Sequence, residues 1–227
     1  MDNIEILIPT YNEAGNIENT VTDLNQKGFY NITILDAQSE DDTVKIAKQL
    51  KCKVIIDEKK KMGFGHSLIN GFNASETEYC CIFDGDGSFD SEAIFKMYEE
   101  IKKNKNDFVF CSRYLGGNKS DDDTIVTKFG NSFFTYLIRI LFNFKTTDVL
   151  FLYTLSKTEN FKSLKLDSLD FRICTEILIK AHNNFKCKEI FSGEKKREHG
   201  VSKVNKILDG LKFLQNIFKY FLRLSKF

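Results

Sequence analysis

The feature that most constrains the fold of this chain is the regular alternation of short apolar runs with segments of helical period. Each run ends in polar or glycine residues, and apolar residues three or four positions apart follow it. The runs are Ile4–Ile8, Ile32–Leu35, Val54–Ile56, Tyr79–Phe83 and Phe108–Cys111. Strands that alternate with helices at this spacing predict an α/β fold, with a mainly parallel sheet flanked by helices and joined by right-handed crossovers.

The composition excludes several classes of protein. A net charge of +1 gives no overall attraction for nucleic acid, so we expect no nucleic-acid partner. The six cysteines form no CxxC pair and are expected to be reduced residues of a cytosolic protein. The chain has no run of 18 apolar residues and enters a strand at once, so we expect neither a membrane-spanning helix nor a secretory signal.

The clearest chemical signal lies in Tyr79–Asp90, where an apolar run stops at Asp84, Gly85, Asp86 and Gly87. A strand here would deliver two carboxylates to the carboxyl edge of the sheet, where ligands bind in open α/β sheets. Hard carboxylate ligands favour Mg²⁺ or Mn²⁺, which proteins usually share with substrate phosphates. The stretch therefore predicts a metal–diphosphate site, and an ordinary Asp-Gly turn is the alternative.

The other predicted strands also end in polar residues. Pro9–Glu13 follow the first run, Asp36–Ser39 the second, and Ser112–Tyr114 the fifth. Because the carboxyl ends of parallel strands meet at one edge of a sheet, these residues are expected to converge with Asp84 and Asp86. Their convergence favours a binding site over a set of unrelated turns.

Seven motifs in order along the chain resemble those of family 2 glycosyltransferases with the GT-A fold, above all the dolichyl- or polyprenyl-phosphate sugar transferases. Together they cover nearly the whole chain, and their order is more specific than any one of them. They are Ile8 to Glu13, Asp36 with Ser39, Asp41 and Thr43, Gly63 to Phe72, Asp84 to Asp86, Ser112 to Tyr114, Thr175 to Lys180, and Arg197 to Lys203.

The resemblance implies a role for individual residues. It assigns binding of a GDP- or UDP-linked sugar to Pro9, Tyr11, Glu13, Asp36, Ser39, Gly63 and Asp84. It assigns Mg²⁺ or Mn²⁺ to Asp84 and Asp86, catalysis to Asp86, Arg113 and Arg197, and acceptor binding to Arg113, Arg197, Ser202 and Lys203. The chemistry is consistent, because a divalent ion offsets charge on a leaving diphosphate and arginine binds phosphate through a planar fork.

The chain departs from the family pattern at four positions. Ala37 and Gln38 stand where the family often has a second Asp and a Gly. Ser88 replaces a Gln that dolichyl-phosphate mannose synthases use near the metal, and Leu152 replaces a common Gly. These departures leave the base and the sugar of the donor open.

Asp148 and Glu176 are the candidates for acid–base work. A lipid phosphate is already an anion at pH 7 and needs no general base, whereas a sugar hydroxyl needs one within hydrogen-bond reach. Glu176 lies in an apolar helical segment, where a buried carboxylate that anchors a loop is the alternative. His66 and His199 are expected to be structural or surface residues.

Two segments of helical period, Ile125–Phe144 and Val204–Phe227, are rich in large apolar residues with interspersed Lys and Arg. Basic amphipathic helices of this kind bind membrane surfaces, with about 1 kcal/mol from each cation near an anionic leaflet. Packing on the sheet, or pairing with a second subunit, is the alternative. We expect a glycosyltransferase domain at residues 1–202 and a membrane-interfacial helix at 203–227.

The resulting hypothesis is an inverting, metal-dependent transferase, peripheral on the cytosolic face of a membrane. It would move a sugar from a nucleotide diphosphate donor to a polyprenyl (dolichyl) phosphate. One alternative is transfer to a sugar hydroxyl in polysaccharide or glycan assembly by the same fold. The other is a non-catalytic module that binds nucleotide sugars.

Overall fold

A seven-stranded mixed sheet organises the computed structural model, which describes residues 2–58, 62–118, 120, 124–197, 199–200 and 206–224. The strands, numbered in chain order, are β1 (Ile4–Thr10), β2 (Ile32–Asp36), β3 (Lys53–Ile56), β4 (Tyr79–Ile82), β5 (Phe108–Ser112), β6 (Thr154–Lys157) and β7 (Cys187–Phe191). Their order across the sheet is β3-β2-β1-β4-β6-β5-β7. Strand β6 runs antiparallel to its neighbours β4 and β5, and the other pairs are parallel.

The chain reverses its direction of growth at β1. It adds β2 and β3 on one side of this strand and then returns to add β4 on the other side. In open α/β sheets, such a reversal leaves a crevice outside the carboxyl ends of the two adjacent strands. The loops after β1 and β4 therefore face each other across this crevice.

Helices cover both faces of the sheet, and each face has its own buried apolar core. The helices are α1 (Ile17–Gln26), α2 (Thr43–Gln49), α3 (Phe64–Ala74), α4 (Glu92–Asn104), α5 (Ile125–Phe142), α6 (Thr158–Ser163), α7 (Ile173–Asn184) and α8 (Lys206–Leu224). Helices α1, α2 and α4 pack on one face, and the other five contribute to the core on the opposite face.

The predicted α/β class and its mainly parallel sheet are confirmed, and all five predicted strands are present. Strands β6 and β7 carry no clear signal in the sequence. Thr154–Lys157 has one large apolar residue, Leu155, and Cys187–Phe191 is a partly exposed edge strand. Burial patterns this weak do not distinguish a strand from a loop.

Helices α5 and α8 contact each other and combine a buried side with an exposed apolar side. Phe134 and Ile138 of α5 and Phe213, Ile217 and Tyr220 of α8 are buried in the core. The exposed apolar residues of the two helices are Val126, Phe129, Phe133, Tyr136, Ile140, Leu208, Leu211, Phe218 and Leu222. Among the described residues, no helix is both long and apolar enough to cross a bilayer.

Candidate active site

The two carboxylates of the loop after β4 lie at the crevice between β1 and β4. Asp86 is buried and Asp84 is half-buried. Two hydrogen bonds within the loop fix its shape: the Ser88 amide donates to Asp86 Oδ1 over 2.9 Å, and the Asp86 amide donates to Asp84 Oδ1 over 3.3 Å. Asp86 Oδ2 takes no part in these two bonds and is open to contacts from outside the loop.

Asp84 has a strongly shifted acidity. Burial, followed by the nearby Asp86 carboxylate, raises the pKa of Asp84 from its ordinary value of 3.8 to about 8, although the Arg197 guanidinium acts in the opposite direction. Crowded carboxylates in a shielded site favour a bound cation, because a cation offsets the charge of both.

Arg197 lies directly against this pair. Its Nη2 is 2.7 Å from Asp86 Oδ2, and its Nη1 is 3.5 Å from Glu13 Oε1. The backbone on either side is tied to the site, since the Lys195 amide donates to the Ser88 carbonyl and the His199 amide donates to Asn16 Oδ1. The sequence-predicted residues Glu13, Asp86 and Arg197 are therefore in one place.

The loops after β1 and β2 are joined by a network of polar contacts around Asp36. Its carboxylate accepts hydrogen bonds from Thr10 Oγ1 at 3.0 Å, from the Ser39 amide at 2.8 Å and from Ser39 Oγ at 2.6 Å. Ser39 Oγ in turn accepts from the Asn12 amide at 2.8 Å. Asp36 and Ser39 thus shape the walls beside Pro9 and Tyr11, which line the cleft themselves.

Gly63 and Gly65 fit against the backbone of the loop before α7. A Cβ added at Gly63 would lie 2.3 Å from the Leu169 carbonyl oxygen, and one at Gly65 would lie 2.2 Å from that of Ser168. Gly63 also has a φ of +107°, a conformation that glycine adopts readily. Close backbone packing thus accounts for both glycines, and Gly63 lines the cleft as well.

Glu176 anchors that same loop. Its side chain is buried and accepts hydrogen bonds from the Asp167 amide at 2.9 Å, the Ser168 amide at 2.7 Å and Lys180 Nζ at 2.6 Å. The buried carboxylate that anchors a loop, one of the two readings of Glu176 from the sequence, matches this arrangement.

Arg113 lies at the other side of the crevice in a network of carboxylates. Its Nε and Nη2 donate to the two oxygens of Asp148 at 2.7 Å and 2.9 Å, and its Nη1 donates to Glu194 at 3.1 Å. The guanidinium also stacks over the ring of Phe151. Although burial lowers the pKa of Arg113, the Asp148 and Glu194 charges outweigh it and raise the pKa above the ordinary value. Arg113 lines the cleft, and Asp148 is buried beneath it.

Many of the residues described so far line one cleft of about 880 Å³, whereas Asp36, Ser39, Asp148 and Glu176 do not line it and support its walls from behind. Its polar wall contains Tyr11, Glu13, Asp84, Asp86 and Arg197. The wall formed by α5, α8 and the loops near them is apolar, with Val126, Phe129, Phe134, Leu152, Phe171 and Phe213. The cleft therefore joins a charged region to an apolar region.

Comparison with known proteins identifies the family. The profile of glycosyl transferase family 2 matches residues 5–169, which include every strand up to β6 and both carboxylates of the β4 loop. The chain belongs to glycosyl transferase family 2. The resemblance inferred from the sequence motifs is thereby confirmed.

The names of two relatives of this glycosyl transferase refer to sugar transfer to dolichyl phosphate. A dolichol-phosphate mannosyltransferase of Pyrococcus furiosus is 30% identical over 187 residues, which are 78% of this chain and 52% of the relative. A UDP-N-acetylglucosamine–dolichyl-phosphate N-acetylglucosaminyltransferase of Methanococcus voltae is 28% identical over 202 residues, 80% of each chain. The chain thus spans about half the length of the Pyrococcus protein.

Solved structures support the fold of the glycosyl transferase. Glucosyl-3-phosphoglycerate synthase of Mycobacterium tuberculosis, crystallised with Mn²⁺, UDP-glucose and phosphoglyceric acid, superposes with a TM-score of 0.76. The match covers 96% of this chain and 79% of the synthase at 15% identity. At this identity the likeness establishes a common fold.

The donor set of this glycosyl transferase fits a divalent cation. Asp84 and Asp86 supply two hard oxygen ligands, and Mg²⁺ and Mn²⁺ commonly take their others from phosphate and water. Within the described ranges, no group of three or more His, Cys, Asp or Glu side chains forms a metal site. The assignment of the cation to Asp84 and Asp86 stays a prediction.

Two predicted site residues lie outside the described part of the chain, and two residues at the site were not predicted from any motif. Ser202 and Lys203, predicted to bind the acceptor, lie outside the described residues. Asp57 carries no motif, yet it is buried at the end of β3 and accepts from Ser67 Oγ at 2.7 Å, and Ser67 lines the cleft. Its place directly after a strand is the signal that could have found it. Glu194, which accepts from Arg113 and lines the cleft, has no comparable signal in the sequence.

We expect acid to weaken the loop before α7. Burial raises the pKa of Asp167 and of Glu176, but bonds from Lys219 and Lys180 outweigh it and hold both below their ordinary values of 3.8 and 4.5. A carboxyl with a lowered pKa in the folded state stabilises above its ordinary pKa, and the contribution is lost as the pH falls through the lowered value. The midpoint temperature of thermal unfolding, followed by circular dichroism, should therefore decrease as the pH is lowered below about 4. A flat profile there would contradict this assignment.

Proposed function

We propose that this glycosyl transferase moves a sugar from a nucleotide diphosphate sugar, UDP- or GDP-linked, to a polyprenyl phosphate at a membrane surface. The observation that carries the proposal is the single cleft with one charged and one apolar region. A sugar nucleotide needs the charged region alone. An acceptor with a phosphate head and a hydrocarbon chain needs both, joined as they are here.

The polar region suits the donor. When bound, a divalent cation on Asp84 and Asp86 would offset the charge that develops on the leaving diphosphate. Arg197 supplies a planar set of donors suited to a phosphate oxygen. Tyr11 and Pro9 lie beside the loops tied together by Asp36, where the nucleoside would rest.

The proposed reaction is one displacement. An oxygen of the acceptor phosphate forms a bond to the anomeric carbon while the bond from that carbon to the β-phosphate oxygen breaks. The nucleoside diphosphate leaves with the bonding electron pair, and attack opposite to it inverts the configuration. The acceptor oxygen is already an anion at neutral pH, so no proton has to be removed.

The two candidate bases support this choice of acceptor. Asp148 is engaged by Arg113 through both oxygens, and Glu176 by two backbone amides and Lys180. A carboxylate with its oxygens occupied in this way is a poor proton acceptor for a sugar hydroxyl. Transfer to phosphate requires neither of them as a base.

The exposed apolar faces of α5 and α8 would contact the cytosolic leaflet of the membrane. Val126 and Phe129 belong both to this exposed face and to the cleft, so the cleft opens where the lipid would be. Lys212 and Lys219 of α8 pair with Asp209 and Asp167. Because their charges are partly offset, we propose that apolar contact provides most of the membrane affinity.

Replacement of Tyr136 by aspartate is expected to weaken binding to phospholipid vesicles by about tenfold or more, because it places a charge in the apolar face. Tyr136 is 66% exposed on α5. Tyr30→Asp is the matched control, since Tyr30 is 71% exposed and lies just before β2, at the amino ends of the parallel strands and so away from the cleft. Vesicle flotation measures both, and equal losses would contradict the assigned face.

A transfer assay tests the proposed function as a whole. The purified chain is incubated with Mg²⁺ or Mn²⁺, a panel of labelled nucleotide sugars and a polyprenyl phosphate, and the mixture is extracted with organic solvent. Label in the organic phase is the expected result. Release of nucleoside diphosphate with all label in water would overturn the lipid acceptor, and no turnover of any donor would favour a binding module.

A further inference from the structure

Arg197 is paired with one of the carboxylates assigned to the cation. The contact to Asp86 Oδ2 measures 2.7 Å, and the two side chains are 20% and 5% exposed, so solvent screens them poorly. The same guanidinium reaches Glu13 Oε1 at 3.5 Å. An arginine N–H at hydrogen-bond distance occupies a lone pair of Asp86 Oδ2 that a metal ion would otherwise use, and its positive charge repels the ion.

We propose that Arg197 and the divalent cation compete for Asp86, so that Arg197 turns from the carboxylate to the diphosphate when the metal and the donor bind together. The inference rests on the proposed function, because it takes Asp84 and Asp86 as the ligands of the cation. It adds a second position for Arg197 and a cause for the exchange. A cation that binds without nucleotide is repelled by the Arg197 guanidinium. When a nucleotide diphosphate is also bound, its phosphate oxygens can accept the hydrogen bonds that Arg197 gives up at Asp86.

The surroundings of Arg197 allow a movement of the side chain alone. Its segment is pinned before it by the Lys195 amide, which donates to the Ser88 carbonyl over 2.8 Å. It is pinned after it by the His199 amide, which donates to Asn16 Oδ1 over 3.1 Å. The backbone can therefore stay in place while the long side chain rotates about its own bonds within the cleft.

The exchange predicts a definite order of affinities. Mn²⁺ alone should bind the wild-type chain weakly, and Arg197→Ala should strengthen that binding because the competing cation is gone. The same variant should bind UDP less well, because the diphosphate loses the partner it attracts. A role of Arg197 limited to holding the loops together predicts instead that both ligands bind less well.

The experiment measures binding of Mn²⁺, alone and with UDP present, by electron paramagnetic resonance, and it measures binding of UDP and GDP by calorimetry. Wild type, Arg197→Ala and Lys196→Ala are compared. Lys196 is an exposed neighbour, so its variant removes the same charge without the contact to Asp86. We expect Arg197→Ala to bind Mn²⁺ about tenfold more tightly or better, and Lys196→Ala to match the wild type.

Mn²⁺ affinity that is unchanged or lower in Arg197→Ala would overturn the exchange. If the wild type then still transfers sugar in a metal-dependent way, only the exchange has failed and the proposed function stands. If none of the three proteins binds Mn²⁺, with or without nucleotide, both the metal site of the proposed function and the exchange are wrong. Equal gains in Arg197→Ala and Lys196→Ala would also overturn it, because they reflect net charge alone.

Discussion

Asp86→Ala is expected to lower the rate of sugar transfer by about 100-fold or more while the protein stays folded. The side chain contributes one of the two carboxylates assigned to the cation, and loss of charge stabilisation at a leaving group has an effect of this size. Within the loop, Asp86 bonds the Ser88 amide, a contact of modest contribution to stability. Steady-state kinetics with a labelled donor measures the loss, and circular dichroism measures the fold.

Asp90→Asn is the matched control for this loss. Asp90 lies in the same loop, and its Oδ1 accepts from the Glu92 amide at the start of α4, a role that the oxygen of asparagine preserves. The control should transfer sugar at close to the wild-type rate. Retained activity in a folded Asp86→Ala protein would remove Asp86 from the reaction.

Glu176→Ala is expected to destabilise the protein by about 3 kcal/mol or more, because it removes the partner of a largely buried lysine and of two backbone amides. Glu176→Gln keeps an oxygen that can accept one of these bonds. It should lose less stability and transfer sugar at a rate within about threefold of the wild type at a temperature where it is folded. Chemical denaturation and transfer kinetics measure the two effects separately.

This pair of variants distinguishes an anchor from a base. If Glu176 removed a proton from a sugar hydroxyl, Glu176→Gln would lose about 100-fold in rate or more while still folded. Glu159→Gln is the control for the loss of a glutamate, since that side chain is 83% exposed on α6. A large rate loss confined to Glu176→Gln would favour the hydroxyl acceptor over the lipid phosphate.

The central part of the fold and site follows from local pattern. Asp84 and Asp86 stand out because an apolar run stops at them, and the same rule places Asp36 and Arg113 at strand ends. Parallel strands then bring these residues to one edge of the sheet. The α/β class and the convergence of these residues at one edge of the sheet could therefore be predicted from the sequence.

Contacts between distant parts of the chain could not be predicted in this way. The pairing of Arg197 with Asp86 joins residues far apart in sequence, and the family motif marked Arg197 without naming its partner. The backbone amides that bind Glu176 carry no signal in residue type. The antiparallel insertion of β6 is equally hidden, because a short run of residues does not encode its direction.

The most direct test of the account compares two acceptors with the wild-type protein. One is a polyprenyl phosphate and the other is the polyprenol of the same chain length without the phosphate. The account predicts labelled sugar on the phosphate and none on the alcohol, because the cleft offers a charged region for the phosphate and no unpaired carboxylate among Asp148 and Glu176 to activate a hydroxyl. Equal transfer to both, or transfer only to the alcohol, would contradict it.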